Sequence, residues 1–572
     1  MMTKSENPSI NNELYKLIIR TFPPKKSSPL LEEIIDLLMN SLYNGDLKVN
    51  IETNAIIESL DSCTITSQHK EALIASGWVE GENSPIVLEG DEISWRRWTE
   101  EINGITNELI RRLNNNSSEK ISLLNKEENN EINKLNKMQL LAISLIKEKN
   151  ILLLSGGPGT GKTSTVMWML DMLYKDNPKL KVGLAAPTAK AAGRLKETIQ
   201  KGINKITTNN KQVLSEIPSA TIHRWLEASP NGFKRNIKNQ INIDLMVIDE
   251  MSMVELELMK ALLKAIPEGS KLVLVGDKDQ LSPVGGGSIW EELQRIKYSK
   301  AFSPCQVNLT ETYRNRGDIA NLSKVILQRG VDQFWLELSK KDETSNLIKH
   351  ESSTQKIPQL IIEKIKSHYN KISNLSNPIS KEILINNYND KSNNSLNFLI
   401  DDLFIYLENI MFLSPARKGR WSVEALNKII LGERANKDCL YWPQGTPIIS
   451  RMNQPEIEVY NGDIGVILGQ EKEQNIIFRT SSNKSETGYK LINPARLKRI
   501  EAAFSLTIHK AQGSEAKEVN LLWPYDQGEL KAMKNRTKDG ETYEQKLLYT
   551  AVTRAKDRLD IFVPIKKEQI IL

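Results

Sequence analysis

Residues 151–163, ILLLSGGPGTGKT, constrain this chain more than any other stretch. The apolar run 151–154 reads as a short buried strand, and a glycine-rich turn follows it. The spacing Gly156-x4-Gly161-Lys162-Thr163 is that of a phosphate-binding loop. Glycines let the backbone curl so that its N–H groups point inward and can bond phosphate oxygens. Residues 166–173 continue as an apolar helix, so bound phosphates would sit on its N-terminus. Lys162 is the expected charge on the β- and γ-phosphates, and Thr163 the expected Mg²⁺ ligand. An ordinary Gly/Pro turn is the plain alternative, and the flanking strand and helix favour the phosphate loop.

Length sets the scale around this loop. At 572 residues the chain exceeds one core, and ordinary domain sizes suggest roughly three or four units. No apolar run reaches bilayer length. The start of the chain is polar and lacks a signal-peptide core, so a cytoplasmic location is expected. Cys63, Cys305 and Cys439 lie far apart, which argues for a reducing compartment and against disulfides or a cysteine zinc site. The net charge of +6 is compatible with nucleic acid but is small for this length.

Residues 1–115 form a first, mainly helical unit. Leu30, Leu31, Ile34, Ile35, Leu37 and Leu38 recur at helical spacing. A second amphipathic stretch spans 95–113, whose Trp95 and Trp98 fit either a core or a partner surface. Residues 116–134, rich in Asn, Ser, Glu and Lys, read as a solvated linker. A helix over 135–147 then carries Gln139, placed to read an adenine edge with its amide. Strands are expected at 182–186, 245–248 and 271–275. The second of these ends in Asp249-Glu250, where Asp249 would hold Mg²⁺ and Glu250 would polarise the attacking water. The third leads to Gln280, which can sense a γ-phosphate. Strands alternating with helices, each ending in a polar motif, give a doubly wound α/β pattern with ligands at strand C-termini. Between them, residues 228–242 contain Pro-Asn-Gly between short mixed runs, a hairpin signal. That hairpin is equally a structural loop or a strand-separating wedge.

The half after residue 300 repeats the alternation without a second phosphate loop. Strands are expected at 306–309, 411–413, 502–506, 519–523 and 559–563, and a helix carrying 548–555. Residues 340–400 read as an insertion with helical pieces. Around 446–480 short alternating strands and the turn Tyr460-Asn461-Gly462-Asp463 suggest a small β-barrel insert.

The ordered set of P-loop, APTAK, TIHRW, DEMSM, GDKDQLSPVGGGS, TYRN, SLTIHKAQGSE and YTAVTRAK resembles that of superfamily 1 helicases. Within it, TIHRW…SPNGFKRN…IDLMVIDEMSMVEL and the later NGDIGVI resemble the RecD type, the alpha subunit of exodeoxyribonuclease V. The resemblance implies an α/β fold of two RecA-like P-loop NTPase motor domains, with the helical N-terminal unit binding partners. Motor domain 1 would cover 135–300. Motor domain 2 would cover 301–440 and 500–572, interrupted by an SH3-like barrel at 441–499. It also implies ATP and Mg²⁺ in the interdomain cleft, 5′-to-3′ movement on single-stranded DNA, and unwinding of double-stranded DNA ends for recombinational repair. RecB-like and RecC-like subunits would be the partners, with the nuclease in the former. An ATP-gated assembly subunit that no longer moves, or an RNA helicase, are the competing readings.

Carried onto this sequence, the resemblance makes Gly156, Gly157, Pro158, Gly159, Thr160, Gly161, Lys162, Thr163 and Ser164 the nucleotide loop. Gln139 would contact adenine, and Thr163 and Asp249 would hold the metal. Lys162, Asp249, Glu250 and Gln280 would act with Arg314 and Arg554 as arginine fingers from the second domain. Either arginine could instead be an interdomain salt bridge. Thr188, His223, Thr507, His509 and Lys510 stand at positions that face DNA in the family. Trp225, Tyr313 and Trp421 fit base stacking, with core packing the weightier role for each.

Overall fold

The computed structural model describes residues 8–43, 47–50, 67–114, 135–204, 208–229, 231–283, 287–313, 317–341, 345–352, 356–386, 394–470, 473–479, 488–524 and 543–565. The expected linker at 116–134 and Arg314 therefore lie outside the described residues.

The N-terminal unit is helical as expected, with Pro8–Thr21, Leu30–Tyr43, Ser67–Ser76 and Arg96–Asn114. It also contains strands β1 (Lys48–Asn50), β2 (Ile86–Glu89) and β3 (Glu92–Trp95), an antiparallel sheet ordered β1-β3-β2 that the periodicity did not announce. Trp95 packs on this unit's own core. The helix Arg96–Asn114 faces the other way: Ile102, Ile105, Leu109 and Leu113 join the core of the next lobe, with Trp98 against them. Buried Arg112 pins the contact by donating to the Leu263, Ile266 and Pro267 carbonyls at 2.9, 2.9 and 2.8 Å. Both tryptophans thus pack, partly buried, against a core.

The first lobe contains β4 (Ile151–Gly156), β5 (Val182–Ala186) and β6 (Ser219–Thr221). The short hairpin β7 (Ala228–Ser229) and β8 (Gly232–Phe233) follows, then β9 (Leu245–Ile248), β10 (Lys271–Gly276) and β11 (Gln306–Leu309). The parallel sheet is ordered β11-β4-β10-β9-β5-β6. Its strands are buried on both faces, so alternate residues feed opposite cores: Ile151 and Leu153 one side, Leu152 and Leu154 the other. Strand β11, expected to open the second motor domain, pairs with β4 instead. The lobe therefore extends past residue 300, because an apolar edge strand gains most beside the central strand it can cover.

The second lobe contains β12 (Leu347–Ser352) and β13 (Ile410–Ser414). An insert follows with β14 (Pro447–Ser450), β15 (Ile464–Leu468), β16 (Asn475–Arg479), β17 (Tyr489–Ile492) and β18 (Ile500–Ala502). The lobe then resumes with β19 (Leu506–Thr507), β20 (Ala516–Leu522) and β21 (Ala555–Pro564). Its parallel sheet is ordered β12-β21-β20-β13-β19. The stretch 340–400 thus supplies an edge strand of the lobe as well as the helix Gln359–Asn386. The insert is a five-stranded antiparallel sheet, β17-β16-β15-β14-β18; what the described residues show is this sheet rather than a closed barrel. The helix Tyr543–Val552 is buried along its length, between the second lobe's core and the first lobe. It ends before Arg554, which the sequence placed on the helix and which sits in the turn leading to β21.

Candidate nucleotide site between the lobes

Strand β4 delivers the chain into a loop that only glycines can make. Gly159 and Gly161 have φ of +74° and +87°, a region costly for residues with a Cβ. A Cβ on Gly156 would lie 2.6 Å from the Thr160 hydroxyl and 2.8 Å from the Leu309 carbonyl. Lys162 opens the helix Lys162–Asp176 and folds back, donating to the Gly156 and Gly157 carbonyls at 2.5 and 3.0 Å. Thr163 follows it half-buried, and Ser164 is exposed. Loop N–H groups, a helix N-terminus and a lysine together fit a polyphosphate.

Strand β9 ends on the acidic pair. The Asp249 carboxylate accepts from the Glu250 N–H at 2.8 Å. Glu250 has φ +54°, a strained conformation for a non-glycine residue that is typical of functional sites. Burial pushes both carboxyls up, and the Asp249 charge adds to this at Glu250, which reaches about 7. Arg554 and Lys162 oppose the rise at Glu250. The Thr163 hydroxyl and the Asp249 carboxylate are hard oxygen donors of the kind Mg²⁺ prefers.

Arg554 is 2% exposed and belongs to the second lobe. Its guanidinium donates to the Thr550 and Ser514 carbonyls at 3.0 and 3.1 Å, and its charge falls on Glu250. The turn following Val552 is held by these bonds. An arginine of one lobe therefore bears on the acidic pair of the other.

Gln139 is buried, and its carbonyl accepts the Asn136 N–H at 3.0 Å in a helix capping box. Its amide nitrogen would lie 2.9 Å from a Cβ on Gly161, so it flanks the loop. Tyr313, considered for base stacking, docks on the loop instead. Its N–H donates to the Gly159 carbonyl at 2.8 Å, and its hydroxyl accepts from Asn136 at 2.8 Å. Trp225 donates to the Leu184 carbonyl at 2.8 Å and Trp421 is buried, so both are packing residues.

The segment after β10 joins the lobes. The Gln280 amide donates to Asp277 at 3.1 Å, while its carbonyl oxygen is buried and has no protein partner among the described residues. Tyr549 donates its hydroxyl to the same Asp277 oxygen at 3.2 Å and would lie 3.0 Å from a Cβ on Gly157. The Leu281 N–H donates to the Thr550 hydroxyl at 3.1 Å, and Gln512 donates to the Leu281 carbonyl at 2.6 Å. One turn earlier on the helix, Lys546 pairs with Glu291 at 2.9 Å. Sequence reasoning missed these partners. The available signal was the spacing of Lys546, Tyr549 and Thr550, three and four residues apart, which puts them on one face of the helix.

The five residues expected on DNA do not form one cluster. Thr188 caps the helix Ala189–Ile203 through the Ala191 N–H at 3.2 Å. Across the cleft, a Cβ on Gly513 would be 3.8 Å from its hydroxyl, and Arg194 donates to the Gly513 and Glu515 carbonyls at 3.0 and 2.9 Å. His223 tilts against hairpin residue Phe233, 6.2 Å between ring centroids, and burial lowers its pKa. The Thr507 hydroxyl accepts the Lys510 N–H at 3.4 Å. His509 stacks on Tyr543 and meets its hydroxyl at 2.9 Å, and burial pushes it down to about 4. Lys510 pairs with Glu501. Beside Ser164 the cleft widens into a cavity of about 850 Å³ lined in part by Lys190, Arg194, Arg479 and Lys556.

Two parallel sheets meeting at one phosphate loop, with an arginine of the second lobe whose charge bears on the acidic pair of the first, define a two-lobed P-loop protein. The AAA domain family matches residues 139–286, and the UvrD-like helicase C-terminal domain family matches 502–561. The chain is similar to the RecBCD enzyme subunit RecD of Mycobacterium tuberculosis, at 27% identity over 73% of this chain and 68% of that protein. The RecD subunit of Buchnera aphidicola (subsp. Acyrthosiphon pisum) is 26% identical over 86% of this chain and 82% of its own length. The ATP-dependent RecD2 DNA helicase of Deinococcus radiodurans is 27% identical over 71% of this chain and 46% of its own. A solved Bacteroides Pif1 bound to single-stranded DNA is 16% identical with a TM-score of 0.40, over 77% of this chain and 94% of that one. The resemblance read from the motifs holds along the chain: its relatives are RecD-type superfamily 1 helicases.

Proposed function

We propose that this chain is an ATP-driven DNA helicase and translocase. We further propose that it is the 5′-to-3′ motor of a RecBCD-like heterotrimer, opening double-stranded DNA ends for recombinational repair in the cytoplasm. RecB-like and RecC-like subunits would be its partners, the first carrying the nuclease, and the N-terminal unit would bind them. The observation that carries the motor reading is the buried seam at the phosphate loop, where Tyr549 and Thr550 of the second lobe bond Asp277 and Leu281 of the first and Arg554 adds its charge beside Glu250. A cleft built this way is complete only when closed, so turnover and lobe movement are linked.

The residues divide the work. Gly156 to Ser164 cradle the phosphates and Lys162 neutralises them, while Gln139 lies beside the loop for the adenine. Thr163 and Asp249 would hold Mg²⁺, which when bound draws charge from the phosphate oxygens. Glu250 accepts a proton from the attacking water, and its raised pKa places it near neutrality for that task. Gln280, fixed by Asp277, would offer to the same region its carbonyl oxygen, which has no partner among the described residues. Arg554, with Arg314 as a second finger, stabilises charge on the transferred group by about 10³–10⁵ in rate. Thr188, His223, Thr507, His509 and Lys510 line the DNA track, where contacts to phosphate hold position without reading sequence.

Lys162→Gln is expected to abolish DNA-stimulated ATP hydrolysis with the fold retained by circular dichroism. Undiminished turnover would sink the motor reading. Stronger stimulation by RNA than by DNA oligomers would move the assignment to an RNA helicase, and ATP turnover without strand displacement in the purified heterotrimer would leave only a gating role.

A further inference from the structure

Three cations converge on one carboxylate at the seam between the second lobe and its insert. Glu501 lies on β18 and accepts from Arg417 at 2.6 Å, from Arg451 at 2.8 Å, and from Lys510. These partners come from three separate segments: the loop after β13, the end of β14, and the turn after β19. Glu424 approaches Arg417 at 3.5 Å from the far side. The Arg451 N–H donates to the Arg499 carbonyl at 2.9 Å, which brings exposed Arg499 and Lys498 to the same edge. Side chains of Arg417 and Arg451 are 48% and 41% exposed, so the knot is reachable from solvent.

Glu501 and Glu424 together set two carboxylates against three cations. The excess positive charge leaves like charges close together, and solvent screens but does not cancel their repulsion. A further anion at this edge would relieve it. Arginine forks match the two oxygens of a carboxylate or of a phosphodiester equally well. Lys510 belongs to the segment 507–513, whose Gly513 faces Thr188 across the cleft. The knot therefore continues the edge along which a strand would run.

We infer that Arg417, Arg451 and Lys510 form a phosphodiester-binding site for single-stranded nucleic acid, and that Glu501 is its built-in counter-anion, displaced when the strand arrives. This rests on the helicase reading and adds two arginines and a competing carboxylate to the track. Glu501 holds the cations pre-aimed while taxing every binding event, so that the grip releases readily between steps.

The test uses the full chain, a fluorescein-labelled oligothymidylate and anisotropy over a potassium chloride series. Glu501→Gln is expected to tighten binding about 3- to 10-fold at low salt. Arg417→Ala and Arg451→Ala, which keep the carboxylate, should each weaken it and flatten the log–log salt slope by about 0.7. Unchanged binding in Glu501→Gln together with unchanged slopes in both arginine variants would overturn the site and leave a structural ion cluster. Equal competition by poly-glutamate would overturn it in favour of an acidic protein segment. Wild type that binds the oligonucleotide while these variants match it sinks only this inference. Wild type that binds none sinks the helicase reading with it.

Discussion

The hydroxyl of Tyr549 offers a sharp test of how the lobes communicate. It is the only difference between Tyr549→Phe and the native chain, and it is also the atom of Tyr549 that approaches Gly157. The hydroxyl donates to a buried carboxylate oxygen of Asp277 at 3.2 Å. Burial, then the Asp277 charge, hold its pKa well above the usual value, so it stays a donor at any working pH. A hydrogen bond to a charged group contributes about 1.5–3 kcal/mol. Asp277 keeps two other donors, Gln280 at 3.1 Å and the Asp279 N–H at 3.1 Å, so no charge is orphaned. The lower end of the range therefore applies, and about 1.5 kcal/mol is roughly tenfold in the equilibrium that closes the cleft. The expected result is an ATPase kcat lowered about tenfold at saturating DNA, with KM for ATP little changed because no phosphate contact is removed. Asp277→Ala should cost more, since it leaves both Tyr549 and Gln280 without their acceptor. A wild-type kcat in Tyr549→Phe alongside a lowered melting temperature would show that the bond only braces the fold. The reasoning would then be wrong.

Other outcomes follow from single contacts. Arg554→Ala should lower ATP turnover about 10³-fold or more with nucleotide affinity nearly kept, measured by single-turnover hydrolysis and equilibrium binding. Arg112→Met keeps the packing of the helix Arg96–Asn114 but strips three carbonyls of their charged donor, and about 3–5 kcal/mol should vanish from urea unfolding of the first lobe. His368 is 3% exposed, and burial holds its pKa down at about 4, with Glu518 opposing. The unfolded chain therefore binds the extra proton first. The stability from burying His368 neutral is complete above the unfolded value near 6.5 and is lost as pH falls towards 4, about 3 kcal/mol in all. His368→Phe, which keeps the ring against Tyr406 and Phe412, should flatten that part of the stability profile measured by denaturant melts.

What could be foreseen from the sequence was what the chain does locally. The phosphate loop was legible because its glycines, lysine and flanking elements lie within a dozen residues and each has one physical use. Asp249 and Glu250 were legible because a wholly apolar strand ends on them. What failed was address. The four residues of β11 carry no mark of their partner, and the neighbouring Tyr313 motif drew them towards the second lobe. Their pairing with β4 is what sets the Tyr313 N–H on the Gly159 carbonyl. Strand β12, four of whose six residues are only partly buried, shows no clean alternation and was read as insertion. Helix spacing ran through Arg554 because nothing local stops it. The stop is the guanidinium itself, taking the Thr550 carbonyl and that of Ser514, forty residues away in sequence.

The interlobe helix hides its partners most completely. Lys546, Tyr549 and Thr550 would each pass for an ordinary polar residue on a solvated face, yet all are buried. Their partners Glu291, Asp277 and Leu281 lie more than 250 residues earlier in the chain. A face that is polar and also buried must be paired, since an unpaired buried donor costs about 1–3 kcal/mol. The pairing is therefore a condition of the closed form, and any opening of the lobes must break or rehydrate all three bonds together. Two of those bonds end on the segment that holds Gln280, beside the phosphate loop, and the third on Glu291, which accepts from Ser282 of that segment at 2.7 Å. Occupancy of the loop and the tightness of the lobes then cannot vary independently, which is the physical requirement for turning nucleotide cleavage into movement.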